Sequence, residues 1–172
     1  ELGIGVGWLK EEFEAVGVPF ERRGKRADGY IAAMRVLWAK DAASFTGEFV
    51  RFDTVSCNPK PVRGAVPILV GGHSEAAAKR AGRLADGSSI DPMGLWDIVR
   101  RAAEAKGRDP QSVELLMGCP DALPDSGKDP HAAVEDRIKK GVKRIVVPAT
   151  AFRRNLEEGL AKFGETIIRP FS

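Results

Sequence analysis

The sequence predicts an α/β fold with a parallel sheet built from successive strand-helix units. Two observations predict it: short apolar stretches alternate with longer stretches that repeat apolar residues at helical spacing, and the turns between them are short. The strand pattern occurs near residues 2–7, 67–70, 86–90, 112–117 and 142–147. Five such units are compatible with a small doubly wound sheet or with the last five βα units of a (β/α)8 TIM-type barrel.

The first strand alternates apolar residues with glycine over residues 2–7, a pattern that marks close backbone approach by a ligand or a barrel wall. A short helix is predicted from Trp8 to Val16, and a longer one begins at Pro19. Apolar residues at helical spacing predict one apolar face on the longer helix, formed by Tyr30, Ile31, Met34, Leu37 and Trp38.

Residues 44–55 predict a β-hairpin, because aromatic residues and valine flank Thr46-Gly47. The segment from Cys57 to Pro61 is predicted to be extended, since two prolines disfavour a helix. We therefore expect one partial barrel domain over residues 1–172, with a hairpin and extended insertion at about 44–64. Three aromatic side chains of the hairpin should cover a helix or a partner surface: Phe45, Phe49 and Phe52.

Helices are also predicted after each later strand. Ser74 should cap a helix that runs to about Ala85, and the next helix should stop at Gly107. A further helix is predicted over residues 130–140, with Gly141 at its end, and a final one over residues 151–163.

Composition narrows the class of protein. Hydrophobic residues make up 43% of the 172 residues and charged residues 30%, which is a soluble globular balance. No apolar run approaches the roughly 18 to 20 residues of a membrane helix, and no secretory leader is recognisable, so we expect no membrane and a cytoplasmic protein. The net charge of +3 comes from dispersed basic residues, which argues against nucleic-acid binding.

Metal-binding spacing is absent from the sequence. Cys57 and Cys119 are far apart, and neither His73 nor His131 has a cysteine or second histidine at ligand spacing. We therefore predict no metal site and two reduced cysteines.

The strongest local motif is Val70-Gly71-Gly72-His73-Ser74, where a buried strand meets two glycines and a helix that serine caps. Glycines let backbone amides approach an anion, and the helix N-terminus adds unpaired N–H donors. Ser74 and His73 could both reach phosphate oxygens. A plain strand-to-helix turn with an N-cap serine explains the motif equally well, and His73 alone is more often a turn residue than a ligand.

Two further features stand at predicted strand ends. Gly3, Gly5 and Gly7 repeat at strand spacing, but the third glycine of the dinucleotide fingerprint is missing, which disfavours a Rossmann fold. Trp8 could pack on a planar cofactor ring or lie in the core. Asp86, before Gly87, could orient a cofactor or cap a turn.

Taken together, these residues resemble the luciferase-like monooxygenase superfamily, especially its coenzyme F-420-dependent branch. The resemblance is close and ordered over residues 2–87, and from residue 88 onward only the alternation of strands and helices agrees. It rests on these segments: 2–13, 17–24, 45–49, 58–62, 70–74 and 84–87.

The resemblance implies an oxidoreductase that transfers hydride with coenzyme F-420, or alternatively an FMN-dependent monooxygenase, acting on a small-molecule substrate. It implies that residues 3–7 form the fourth barrel strand and that the turn at residues 70–74 binds the cofactor phosphate. The cofactor-binding residues so expected are Gly5, Gly7, Trp8, Val70, Gly71, Gly72, His73, Ser74 and Asp86. The resemblance leaves the catalytic residues unassigned.

Two departures from the family pattern accompany the resemblance. The first three barrel strands are absent, and Ser88 replaces the tryptophan usual after Asp86-Gly87, with an unusually short loop following it. Because the chain opens on a core-like strand without an initiator methionine, we expect a segment of a longer enzyme; the rival hypothesis is a non-catalytic fragment or truncated homologue. The family commonly dimerises, so we expect a homodimer, with Tyr30, Met34 and Trp38 as its candidate surface.

Overall fold

A computed structural model of the chain describes residues 1–90, 94–124, 126–152 and 155–171. The chain forms two compact units, Glu1–Val113 and Glu114–Ser172. Arg153 and Arg154, within the predicted final helix, lie outside the described residues.

The first unit contains the predicted parallel strands and the hairpin. In chain order its elements are β1 (Leu2–Ile4), α1 (Lys10–Ala15), α2 (Arg23–Ala39), β2 (Ala43–Thr46), β3 (Arg51–Val55), β4 (Ile68–Gly71), α3 (Glu75–Leu84), β5 (Gly87–Ser89) and α4 (Gly94–Glu104). Strands β1, β4 and β5 pair side by side and parallel, with Ile4 opposite Val70 and Val70 opposite Ser88. This confirms the predicted parallel pairing, although β1 ends at Ile4 and not at residue 7.

The core of this unit lies between the sheet and its helices. Ile68 and Val70 are fully buried against small residues of α3, and Val99 and Ala103 of α4 complete the cluster. At Gly82 the two helices approach so closely that a Cβ atom would collide with the Val99 carbonyl oxygen. Glycine at this position therefore sets the distance between α3 and α4.

Helix α2 differs from the sequence prediction at its start. It begins at Arg23 and not near Pro19, because Arg22 adopts a left-handed backbone with φ of 60°. Tyr30 is 44% exposed, whereas Met34 and Trp38 pack against the core cluster of their own unit. Met34 and Trp38 therefore contribute to packing within their own unit while staying partly exposed, and a homodimer through this face stays a prediction.

The predicted hairpin is confirmed. Strands β2 and β3 pair antiparallel in a separate two-stranded sheet, and the rings of Phe45 and Phe52 stack with centroids 5.9 Å apart. Phe49 lies against α2, where the guanidinium carbons of Arg22 and Arg26 are 5.1 and 5.4 Å from its ring centroid. Phe49 thus covers the beginning of α2 as predicted, whereas Phe45 and Phe52 pack on each other within the hairpin.

The second unit holds β6 (Glu114–Gly118), α5 (Pro130–Lys139), β7 (Val142–Val146) and α6 (Leu156–Phe163). Strands β6 and β7 are parallel, and Asp129 caps α5 by accepting from the amides of His131 and Ala132. The Lys140 ammonium, with help from Arg137, holds the pKa of Asp136 below its ordinary value.

The final predicted helix differs from the structure at its start. A 3-10 turn spans Ala149–Phe152, and α6 begins later, after Asn155 caps it. Among the described residues, no helix combines the length and apolarity that crossing a bilayer requires.

Candidate functional site

Two parallel strands bring the glycine motifs to one edge of the first unit's sheet. Because Ile4 pairs with Val70, Gly5 follows at the level of Gly71, and Gly71 in turn pairs with Ser89. Parallel strands end at the same edge, so the residues that follow β1, β4 and β5 all emerge there. We call this the carboxyl edge, and it is where α/β folds place ligands.

The glycines also share one face of the sheet. Ile4, Ile68 and Val70 point toward the helices, where they form the core or pack against it. Since side chains alternate along a strand, Gly5 and Gly71 point to the opposite face. A Cβ atom at either position would find no atom within 4 Å, so this face is open beside the carboxyl edge.

The turn after β4 has a backbone that requires glycine. Gly72 has φ of +131°, which side chains rarely adopt, and a Cβ atom there would lie 3.0 Å from the Ala77 Cβ. Ser74 caps the ten-residue helix α3: its Oγ accepts from the amide of Ala77 at 3.2 Å. The cap uses an Oγ lone pair and leaves the hydroxyl proton to donate to an anion.

This end of α3 favours negative charge. The first amides of a helix have no partner within it, and its dipole places partial positive charge at the same end. His73 is exposed beside the turn. Glu75 opposes anion binding, although Lys79 pairs with its carboxylate at 3.3 Å. The turn therefore offers backbone donors, one hydroxyl and an open approach to a phosphate group.

The residues after β1 present a cation that the sequence interpretation missed. Gly7 has φ of +76°, and its carbonyl oxygen accepts from Arg23 Nε at 3.0 Å. The Arg23 guanidinium carbon lies 3.8 Å from the ring centroid of Phe20, which in turn packs edge-on against Phe13. A stacked and hydrogen-bonded arginine is therefore held near the carboxyl edge, where its remaining N–H groups can meet an anion.

Trp8 is also available at this edge. It is 82% exposed, which excludes the core interpretation of this residue and leaves a large planar side chain beside Gly7. A ring of this kind in contact with solvent is typical of a surface that packs against a ligand or another part of the protein.

Asp86 is not brought together with the other residues. Its Oδ2 accepts from the amide of Ile68 at 2.8 Å and from Arg35 at 3.3 Å, at the beginning of β4. The Asp86 amide donates to the Ile68 carbonyl oxygen at 2.8 Å. Asp86 thus joins β4, the start of β5 and α2 at the amino edge of the sheet, opposite the glycine turn.

Substitutions of Ser74 provide a first test, because they can separate its role as the helix cap from its role as a hydrogen-bond donor to a ligand. Ser74→Ala should lower the free energy of unfolding by about 1 kcal/mol through loss of the cap. Ser74→Asp should keep that stability, since aspartate also caps helices, yet repel an anion at the turn. Urea unfolding of the two variants and wild type measures the first effect; equal losses for both variants would contradict the capping role.

Comparison with known proteins agrees with this architecture. The model of the luciferase-like monooxygenase family matches residues 1–166. The chain belongs to this family. The same match confirms the resemblance that the glycine motifs predicted.

The family's curated relatives include proteins with and without a described activity. An uncharacterized protein of Mycobacterium tuberculosis is 34% identical over 161 residues, covering 80% of this chain and 57% of that protein. The FMNH2-dependent dimethylsulfone monooxygenase of Pseudomonas putida is 36% identical over 149 residues, covering 81% of this chain and 40% of that enzyme. The chain thus spans roughly half the length of these relatives.

Solved structures show the fold. The coenzyme F-420-dependent tetrahydromethanopterin reductase of Methanopyrus kandleri matches with a TM-score of 0.75 and 14% identity, covering 99% of this chain and 74% of that one. An F-420-dependent secondary alcohol dehydrogenase matches with a TM-score of 0.59 and 20% identity, covering 95% of this chain and 60% of that one. The predicted fold class, an incomplete (β/α)8 barrel, is confirmed.

Proposed function

We propose that this chain is the cofactor-binding part of an oxidoreductase that transfers hydride with coenzyme F-420. The observation that carries the proposal is the carboxyl edge, where Gly71 leaves open space, Gly72 adopts a glycine-only conformation and Ser74 can donate its hydroxyl. The named activities of the two F-420-dependent structural neighbours support the choice of cofactor.

In this proposal the cofactor supplies the hydride chemistry and the protein supplies binding and orientation. The amides of Gly71 and Gly72, with the hydroxyl of Ser74, hold the cofactor phosphate at the start of α3. Arg23 adds a fixed positive charge near the same edge. Gly5 and Gly7 let the backbone of the neighbouring strand end approach the cofactor, and Trp8 covers its ring or linker.

FMN is the alternative cofactor, and a specific observation favours it. The dimethylsulfone monooxygenase, named as FMNH2-dependent, is more similar in sequence than either F-420-dependent structure. An FMN phosphate would use the same turn, because a phosphate monoester and a phosphate diester both accept from backbone amides. The reaction would then be monooxygenation and not hydride transfer alone.

Other parts of the proposal concern the natural protein as a whole. We propose that it acts on a small-molecule substrate in the cytoplasm, that residues 1–172 belong to one partial barrel domain, and that the protein forms a homodimer. Its candidate surface is the face of α2 that holds Tyr30, Met34 and Trp38, of which Tyr30 is the most exposed.

Parallel titrations of the natural full-length protein with coenzyme F-420 and with FMN test the cofactor choice. We expect saturable binding of coenzyme F-420, followed by its deazaflavin fluorescence, and weaker binding of FMN. Tighter binding of FMN would replace the first proposal by the alternative. Binding of neither cofactor by folded protein would favour a non-catalytic homologue.

Arg23 offers a test of the missed cation. Arg23→Gln should weaken cofactor binding by about 1.5 to 3 kcal/mol, the range for a hydrogen bond to a charged group. Arg23→Lys should restore part of the loss, because lysine keeps the charge but lacks the planar group that stacks on Phe20.

The matched control is Arg22→Gln, since the neighbouring Arg22 pairs with Glu48 of the hairpin and does not bond to Gly7. Fluorescence titration of the three variants measures the effect. Equal cofactor affinity in Arg23→Gln and Arg22→Gln would remove Arg23 from the site.

A further inference from the structure

A cleft lined by charged side chains and alanines lies on the helices of the first unit, between α2, α3 and the residues that end α4. Its volume is about 540 Å³, and three alanines form part of its lining: Ala76, Ala102 and Ala105. The other lining residues are all charged: Lys25, Asp28, Lys79, Arg80, Arg83 and Lys106. We call this cleft the basic groove; it shares no residue with the turn at Gly71–Ser74.

Only part of the positive charge in the basic groove is neutralised. Asp28 is shared, since it pairs with Arg80 and accepts from Arg83 Nη2 at 3.0 Å. The Arg80 side chain is only 8% exposed, so its charge interacts mainly with Asp28 and not with solvent. Arg83 is 45% exposed, and its Nε and Nη2 donate to the Lys79 carbonyl oxygen and to Asp28.

The lysines account for the rest of the excess positive charge in the basic groove. Lys79 pairs with Glu75, whereas Lys25 and Lys106 are exposed and form no ion pair within the described part of the chain. Five cations against the carboxylates of Asp28 and Glu75 leave three positive charges in excess around one cleft. Grouping like charges is unfavourable unless an anion offsets the repulsion.

We propose that the basic groove binds a small molecule that carries two or more adjacent phosphate groups. The backbone amides along the sides of helices are already bonded, so recognition depends on side-chain cations from three separate elements. Such an arrangement suits charge spread over several phosphates better than a single carboxylate. The alanines leave room for an apolar part of the same molecule.

The size and lining of the basic groove favour a small molecule over a macromolecule. Its volume falls in the range of about 300–1,000 Å³ that is typical of small-molecule sites. Among the described residues that line it, none is an aromatic residue on which a nucleic-acid base could stack. The site is additional to the proposed cofactor site, so either proposal can fail without the other.

Isothermal titration of the natural full-length protein with inorganic triphosphate tests the proposal. We expect saturable binding that weakens as salt concentration rises, because exposed charges are screened. The double variant Lys25→Gln/Lys106→Gln should raise the Kd by about fivefold for each lysine, in line with the upper range of exposed charge pairs. Lys25→Arg/Lys106→Arg should retain wild-type affinity, and circular dichroism should show both variants folded.

Two controls decide where the anion binds. Lys40→Gln/Lys128→Gln removes the same charge from exposed positions outside the basic groove and should leave triphosphate affinity unchanged. Ser74→Ala should leave unchanged the binding event that the groove variant weakens, because any event at the cofactor turn is separate from it. A loss in Ser74→Ala without a loss in the groove variant would overturn the proposal, since the anion would then occupy the cofactor turn.

Two further results would also overturn it. Equal losses in the groove variant and the lysine control would show a general charge effect. Binding of an acidic peptide without binding of triphosphate would assign the basic groove to a protein partner instead.

Discussion

Gly72→Val should abolish binding of the cofactor to the natural full-length protein. The φ of +131° at this residue excludes a β-branched side chain, and a Cβ atom there would press against Ala77 in the first turn of α3. The turn must therefore change conformation, which removes the Gly71 and Gly72 amides from the phosphate. Fluorescence titration with coenzyme F-420, and with FMN in parallel, measures the loss.

The companion substitution Gly71→Ala tests whether filling the open face weakens cofactor binding when the conformation of the turn is unchanged. Gly71 lies in β4 with an ordinary backbone and no atom within 4 Å of its Cβ position, so alanine fits without strain and occupies the open face. We expect weaker cofactor binding without any decrease in the free energy of unfolding. Gly29→Ala is the matched control, because its Cβ would meet Phe49 at an ordinary 3.8 Å in the middle of α2.

The cofactor affinities of these two variants also show whether the phosphate binds elsewhere. Wild-type cofactor affinity in folded Gly72→Val protein would place the site away from this turn. Wild-type affinity in Gly71→Ala, together with a loss in Gly72→Val, would show that the turn acts through its shape and not through direct contact with the cofactor.

Gly82→Ala should have the largest effect on stability. An added methyl group would collide with the Val99 carbonyl oxygen and lie 2.8 Å from the Ala102 Cβ and 2.9 Å from the Ala103 amide. Because backbone atoms of α4 cannot move aside as a side chain can, the two helices must separate. We expect the free energy of unfolding to fall by about 1 to 3 kcal/mol, the range for overpacking a core.

The control for this substitution is Gly29→Ala, in the middle of α2. Its Cβ would meet Phe49 at an ordinary 3.8 Å, and alanine in the middle of a helix stabilises by about 0.5 to 1 kcal/mol relative to glycine. Urea unfolding of both variants should therefore give changes of opposite sign. A stabilising effect of Gly82→Ala would show that α3 and α4 are not held together by close backbone packing.

The strands were predictable where apolar residues are continuous. Residues 67–70 are such a run, and β4 lies there, whereas β7 was predicted from Val142 and the shorter apolar run at residues 145–147. The first strand was predicted too long because glycine at residues 5 and 7 keeps the alternation of a strand, while the positive φ of Gly7 turns the chain. Alternation alone cannot distinguish an extended glycine from one that begins a loop.

The site was predictable only where it is local in sequence. The turn at residues 71–74 is a contiguous motif, and the structure places its glycines and its serine cap as expected. Arg23 was missed because its bond joins residues sixteen positions apart, and the basic run around it resembles a solvated helix face. Asp86 was grouped with the glycines because the predicted strand included it, whereas β5 begins at Gly87.

The position of Asp86 has a consequence for how this scaffold tolerates change. One carboxylate fastens a strand and a helix at the amino edge, so the hydrogen bonds that keep the sheet in register there are remote from the glycine turn. Loops at the carboxyl edge can therefore be lengthened or replaced while that fastening persists. Proteins built in this way can change their chemistry through insertions at the carboxyl edge of the sheet. The contacts at the amino edge, which stabilise the fold, then stay the same.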